Sequence, residues 1–418
     1  MSGSRFAALV AFLVLGAALV ALLALTTPWH PLGAGAPTVP VDPARDFTRE
    51  QVAREVAFHH AVRPPGYAAL ALSLLVAAVL GLTPAGARVV GAVGRGPWPV
   101  RAATGALALA LVPTLVTLPL AARSEVVLRR YGLSTQTWGS WAADAAKSAL
   151  VGGVLLVVAT VGLVALARWR PATWWAWAAA GAAVLVAGVS YVYPVVVEPL
   201  FNRFEPLPQG ELRTALLDLA ERDGVEVRDV LVADASRRTT SLNAYVSGYG
   251  ATRRIVVYDT LLAKATPAEV ELVVAHELGH VTHADVRNGT LAGALGAAAA
   301  VAGLHVLLTS EAVLRRAGAS GAGDPRVLGL VLFAIAAAGF LTSPAQALVS
   351  RRVEARADVH SLELTGDVAT FVESEKRLAV TNLSDLDPHP LAYAWFFSHP
   401  TSPERIALAR AWAEQRAA

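Results

Sequence analysis

Seven runs of apolar residues dominate this chain, at roughly 7–27, 66–83, 102–122, 148–167, 174–197, 289–309 and 327–346. Each is long enough to cross a hydrocarbon core about 30 Å thick. No water is available in lipid to satisfy free backbone groups, so such runs must be α-helical. The chain is therefore expected to be mainly α and polytopic, with the lipid bilayer as one of its partners. Only 16% of its residues are charged, against roughly 25% in soluble globular proteins. Ala, Leu, Val and Gly fill the runs, and the small residues among them let spanning helices approach closely. Pro113 and Pro119 in the third run are tolerated where neighbouring helices re-satisfy the freed backbone. Trp169, Trp174, Trp175 and Trp177 mark the junction of the fourth and fifth runs as an interfacial aromatic belt.

The first run is longer than a secretory signal core and ends in Leu25-Thr26-Thr27-Pro28 without a small-x-small site, so it reads as a retained helix. Residues 28–65, with Pro28, Pro31, Pro37, Pro40 and Pro43, read as a polar loop. Two polar blocks follow later. The resulting division is a five-helix membrane region (1–200), a first catalytic part (201–288), a transmembrane hairpin (289–346) and a second catalytic part (347–418). Val227 to Ala233 and Arg254 to Tyr258 are β-branched stretches between turn signals and predict short strands. Lys and Arg are more frequent on the side of the polar blocks, for example Arg123, Arg129, Arg130, Lys147, Arg351 and Arg352. By the positive-inside rule those blocks are expected in the cytoplasm of a multi-pass cell-membrane protein. A net charge of +3 without a basic block interleaved with aromatics excludes nucleic acid as a partner.

One motif carries chemistry. Residues 276–280 read His-Glu-Leu-Gly-His, and histidines at i and i+4 on one helical face can reach a single zinc ion. Glu277 lies beside them, placed to act as general base on water held by the metal. Thr266-Pro267-Ala268-Glu269 supplies a capping box with proline at the first helical position, and Val270, Val273 and Val274 supply an apolar face. Gly279 is expected to leave room beside the metal. There are no cysteines, so any ligands are nitrogen and oxygen. A catalytic zinc usually takes three protein ligands and keeps one position open. His283 and Val286 rule out the metzincin pattern, which leaves a glutamate on a later helix. Glu354 fits as the third ligand, and Asp358, four residues on, as the acceptor that fixes a ligand histidine. Two spanning runs separate His280 from Glu354, an even number, so the chain returns to the side it left.

These residues resemble the integral-membrane gluzincin metallopeptidases typified by the type 1 CAAX prenyl endopeptidase, in a bacterial member. The resemblance extends to Tyr193-Pro194 with the stretch Glu198 to Leu207, to Thr240 to Tyr245, and to His399-Pro400 with Arg405. It implies seven helices around a large water-filled chamber, closed at one end by a zincin-type domain of helices and a small β-sheet. It also implies that Asn243 binds substrate backbone near an edge strand, that His399 stabilises the oxyanion, and that Arg405 supports that substrate site. The expected activity is zinc metalloendopeptidase cleavage of peptide or membrane-protein substrates, with one Zn2+ per chain. The CAAX substrate itself is a eukaryotic expectation and does not carry over to so alanine-rich, arginine-rich a sequence.

Two other classes compete. A transporter with a structural zinc domain would place ionisable residues inside the runs, and apart from His305 they hold almost none. A catalytically inactive scaffold has no need of His276, Glu277, His280 and Glu354 together. His283 and Asp285 read as the end of the motif helix.

Overall fold

The computed structural model describes residues 3–417. The membrane region comprises α1 (Gly3–Thr26), the single turn α2 (Pro43–Asp46), α3 (Arg49–Leu82), α4 (Ala85–Val93), α5 (Trp98–Arg130), α6 (Trp138–Trp169) and α7 (Trp174–Val192). A π-helical turn, Tyr193–Val197, runs on into α8 (Glu198–Phe201). The first polar block holds β1 (Phe204–Pro206), α9 (Glu211–Arg222), β2 (Val230–Ala233), β3 (Ala244–Ser247), β4 (Arg254–Tyr258), α10 (Asp259–Lys264) and α11 (Pro267–Thr282). The chain re-enters the membrane with α12 (Asp285–Leu308), turns through α13 (Glu311–Ala317), and returns in α14 (Leu328–Thr365). It closes with α15 (Val368–Asn382), α16 (Pro390–Phe396) and α17 (Ser402–Ala417).

Seven helices among the described residues are long and apolar enough to span a membrane, matching the seven runs. Two run far beyond their apolar cores. Residues 28–65 are not one polar loop: α3 starts at Arg49, where Thr48 and Gln51 form a capping box, and continues through Pro64 and Pro65. The prolines hid it, because an interior proline costs a soluble helix about 3 kcal/mol. Likewise α14 is one 38-residue helix, so the expected boundary at 346/347 falls inside it. At 1.5 Å per residue it extends about 57 Å, enough to leave the membrane and deliver Glu354 to the polar block.

The spanning helices neighbour one another in a closed ring, α3, α5, α6, α7, α12, α14 and back to α3, with α1 packed on α12. A cavity of about 810 Å³ opens among α1, α6, α7, α12 and α14, lined by apolar side chains including Phe12, Leu185, Val301 and Ile335. The ring closes where α3 meets the start of α14. A Cβ on Gly329 would stand 2.4 Å from the Leu80 carbonyl oxygen, so this crossing is a backbone-to-backbone contact. Of the tryptophan belt, Trp169 and Trp177 are exposed. Trp174 is instead buried against the His305 ring, 5.4 Å away.

The sheet has order β1-β2-β4-β3. β2 and β4 pair in parallel and the outer strands antiparallel, which leaves β3 at an edge. β4 matches its expected bounds, β2 begins at Val230 rather than Val227, and β1 and β3 were too short to announce themselves. The stretch from Tyr193 to Leu207 fastens the fifth span to this sheet. Glu198 accepts hydrogen bonds from Ser247 (3.0 Å) and Arg254 (3.3 Å), and Arg254 also donates to the Pro194 carbonyl (2.9 Å).

The ring and the α12–α14 hairpin fix a topology. A cysteine introduced at Ser320, in the exposed turn before α14, is expected to react with an impermeant thiol reagent from one face of the membrane. One at Ser236 is expected to react only from the other. Labelling of both from the same face would contradict the hairpin.

Candidate metal centre

The motif helix α11 is held in place from its first turn. The Thr266 side chain accepts from the Glu269 backbone, and the Glu269 carboxylate accepts from the Thr266 backbone at 2.7 Å. Val270, Val274 and Leu278 are buried in the core shared with the sheet and α9, each contributing roughly 1.5–3 kcal/mol by full burial. Gly279 does not make room for a metal. A Cβ there would lie 3.0–3.1 Å from the His360 Cβ and two atoms of its ring, so the missing side chain lets α11 press against α14.

The opposite face carries His276, Glu277 and His280, whose ligand-type atoms all lie within 4.8 Å of one another. Glu354, from α14, comes to the same point. One of its oxygens is 3.2 Å from His276 Nε2 and the other is 3.7 Å from His280 Nε2. Two ligand atoms about 2.0–2.2 Å from one tetrahedral ion stand roughly 3.3–3.6 Å apart, so the observed spacings bracket what a single zinc-sized ion requires. Burial opposes a positive charge on His276, yet hydrogen bonding to Asp358 and Glu354 outweighs it and pushes its pKa up to about 10. Glu277 shows the reverse balance: burial raises its carboxyl against the lowering influence of His276 and His280, which suits it to accepting a proton.

Both histidines turn Nε2 inward because Nδ1 is occupied. His276 Nδ1 is 2.8 Å from Asp358, whose carboxylate also receives Arg405 Nε at 2.9 Å. Arg405 reaches beyond to Glu375 at 2.8 Å. Its guanidinium thus pairs with two carboxylates behind the ligand atoms, and the side chain also lines the cavity that leads to the site. His280 Nδ1 is 2.9 Å from Asp285, which pairs in turn with Arg356. Sequence reading missed Asp285, Arg356 and Glu375. His283 does end α11, but Asp285 opens α12 and folds back. A carboxylate at the i+5 position from a ligand histidine was the available signal. His305 lies apart from this centre, bonded to Ser4 at 2.9 Å.

A cavity of about 720 Å³ leads to the site. Glu277, His276 and Glu354 line it together with Asn243 and His399. Asn243 immediately precedes the edge strand β3. His399 is exposed to the cavity, with Nε2 3.4 Å from Glu354 and Nδ1 2.9 Å from the Ser398 hydroxyl.

A family profile described as Peptidase family M48 matches residues 206–413. One described as CAAX prenyl protease N-terminal, five membrane helices, matches residues 68–203. The metalloprotease YhfN of Bacillus subtilis (strain 168) is 34% identical over 303 residues, covering 71% of this chain and 70% of that protein. The chain belongs to peptidase family M48. The M48 resemblance reaches yeast CAAX prenyl protease 1 (Saccharomyces cerevisiae), 27% identical over 324 residues, 71% of this chain and 69% of that one. A homolog of that enzyme in Arabidopsis thaliana is 33% identical over 218 residues, about half the length of each (51% and 51%). The crystal structure of S. mikatae Ste24p shares the fold, with a TM-score of 0.78 at 22% identity over 98% of this chain and 99% of that one. This M48 peptidase is a multi-pass membrane metalloprotease.

Arg405 supplies the next test. Removing it leaves Asp358 and Glu375 buried with no cation between them, which typically costs about 3–5 kcal/mol. Arg405→Ala is expected to lower the thermal unfolding temperature of the metal-free protein. An unfolding temperature equal to wild type, with only KM raised, would return Arg405 to substrate binding.

Proposed function

We propose that this M48 peptidase is a zinc metalloendopeptidase whose single ion is held by His276 Nε2, His280 Nε2 and the Glu354 carboxylate. The observation that carries this reading is the convergence of those atoms at 3.2 and 3.7 Å while both Nδ1 atoms are engaged by carboxylates. Bound zinc supplies Lewis acidity, lowering the pKa of water toward ≈7 and polarising a carbonyl.

The chain's own residues do the rest. Glu277 takes the proton from the attacking water and returns it to the leaving amine. His399, exposed beside the ligands, opposes the negative charge that develops on the carbonyl oxygen. Asn243 and the free edge of β3 align the substrate backbone as an added strand, the mode by which sheet edges capture extended peptides. Asp358 and Arg405 hold His276 in one tautomer and orientation. The substrates are peptides or membrane-protein segments that reach the cavity beside the bilayer. The arginine and lysine bias supports a cytoplasmic side for this centre.

Glu277→Gln is nearly isosteric and removes no ligand. Purified protein carrying it is expected to keep its zinc while peptide hydrolysis falls roughly 10²–10⁴-fold. Wild-type turnover in this variant would refute the role of Glu277. Zinc binding by a wild-type protein that cleaves no peptide or membrane-protein substrate would support the inactive-scaffold reading instead.

A further inference from the structure

The two zinc-facing histidines are held by different parts of the molecule. His276 answers to Asp358 and Arg405, on α14 and α17 of the polar block. His280 answers to Asp285, the first residue of the membrane helix α12. Asp285 reaches it only because the chain reverses at Ala284, which adopts the left-handed conformation with φ 56° and ψ 37°. That region is uncommon for a residue other than glycine, asparagine or aspartate, and such outliers persist where the surrounding structure over-determines them. At this corner one Asp285 oxygen meets His280 Nδ1 at 2.9 Å, and the other meets Arg356. Arg356 lies two residues beyond Glu354 on α14, and its second branch donates to the Thr26 carbonyl at the end of α1 at 3.5 Å.

An acidic residue in the first turn of a helix is common for reasons of helix dipole alone. That reason does not account for the aim of this carboxylate at a histidine nitrogen, nor for the left-handed alanine that puts it there. We infer that Asp285 and Arg356 are positioning residues for His280, through which the membrane helices α12 and α1 bear on how tightly the metal is held. The inference rests on the zinc reading given above. Asp285 fixes the tautomer that leaves Nε2 free, and Arg356 orients the Asp285 carboxylate. The centre is then braced from two sides, with α14 common to both.

The test is zinc release from the full-length protein in detergent, followed by competition with a chromogenic chelator. Partners that orient a metal-ligating histidine typically contribute roughly 10–100-fold in metal affinity. Asp285→Asn is expected to weaken zinc binding by that order, with the metal-free protein unfolding at the wild-type temperature. Arg356→Gln is expected to act in the same direction to a smaller extent, and it carries the test should Asp285→Asn fail to fold. Asp223→Asn is the comparison, because it alters a histidine–carboxylate contact (His360 to Asp223, 2.9 Å) between residues that are not ligands. Its zinc affinity should equal wild type. Unchanged affinity in Asp285→Asn, or in Arg356→Gln where that variant stands in, would overturn the inference while leaving the zinc assignment intact. An equal loss in Asp223→Asn would reduce the effect to general loosening and overturn it as well. Failure of wild-type protein to bind zinc would instead overturn the zinc reading itself, and this inference with it.

Discussion

Asp358 is the point on which the polar half of the molecule turns. It is fully buried, and it accepts from His276 of α11 on one side and Arg405 of α17 on the other. A lone buried carboxylate would cost several kcal/mol, and two well-placed partners offset that cost only when their geometry is good. Three helices that are distant in sequence are therefore obliged to meet at one spot. α11 comes from the block before the membrane hairpin, and α14 and α17 from the block after it. Gly279 permits the meeting by letting the His360 ring lie against the α11 backbone.

The membrane bundle and the centre are joined by continuity as much as by contact. Because α14 is a single helix from Leu328 to Thr365, the ring of spanning helices and the Glu354 carboxylate share one continuous helix. The other joints are polar: Glu198 with Ser247 and Arg254 at the end of the fifth span, Asp144 with Arg238 (2.6 Å) at the start of the fourth. An alanine-rich, hollow ring has few large buried side chains of its own. Such ties between helix ends and the sheet fasten the ring to the polar half of the molecule.

Much of this was legible in the residues, because two strong periodicities announce themselves. Runs of about 20 apolar residues admit only helices, and His-Glu-x-x-His at i and i+4 admits little besides a metal on a helical face. Parity of the two spanning runs then brought Glu354 to the correct side. The rest was hidden for identifiable reasons. Pro64 and Pro65 masked the first half of α3, since sequence reading penalises interior prolines that a bundle tolerates. Three- and four-residue strands such as β1 and β3 carry too few alternations to register. Asp285 was passed over because its place depends on a left-handed alanine, and its i+5 spacing from His280 was the one signal the local pattern offered. Arg405 read as part of the substrate site, and only the folded structure shows both its carboxylates behind the ligands. The roles of Asn243 and His399 came from resemblance alone, and their positions on the cavity wall support them.

The central claim is that α11 and α14, separated in sequence by a membrane hairpin, jointly hold one zinc ion. The zinc content of purified wild-type and Glu354→Ala protein, measured together, tests it most directly. Since the chain has no cysteines, no thiolate can supply a substitute ligand. The account predicts about one zinc per chain in wild type and its loss, with loss of peptidase activity, in Glu354→Ala. Full zinc occupancy and activity in the variant would mean that α14 does not contribute to the centre, and the split-domain account would fail.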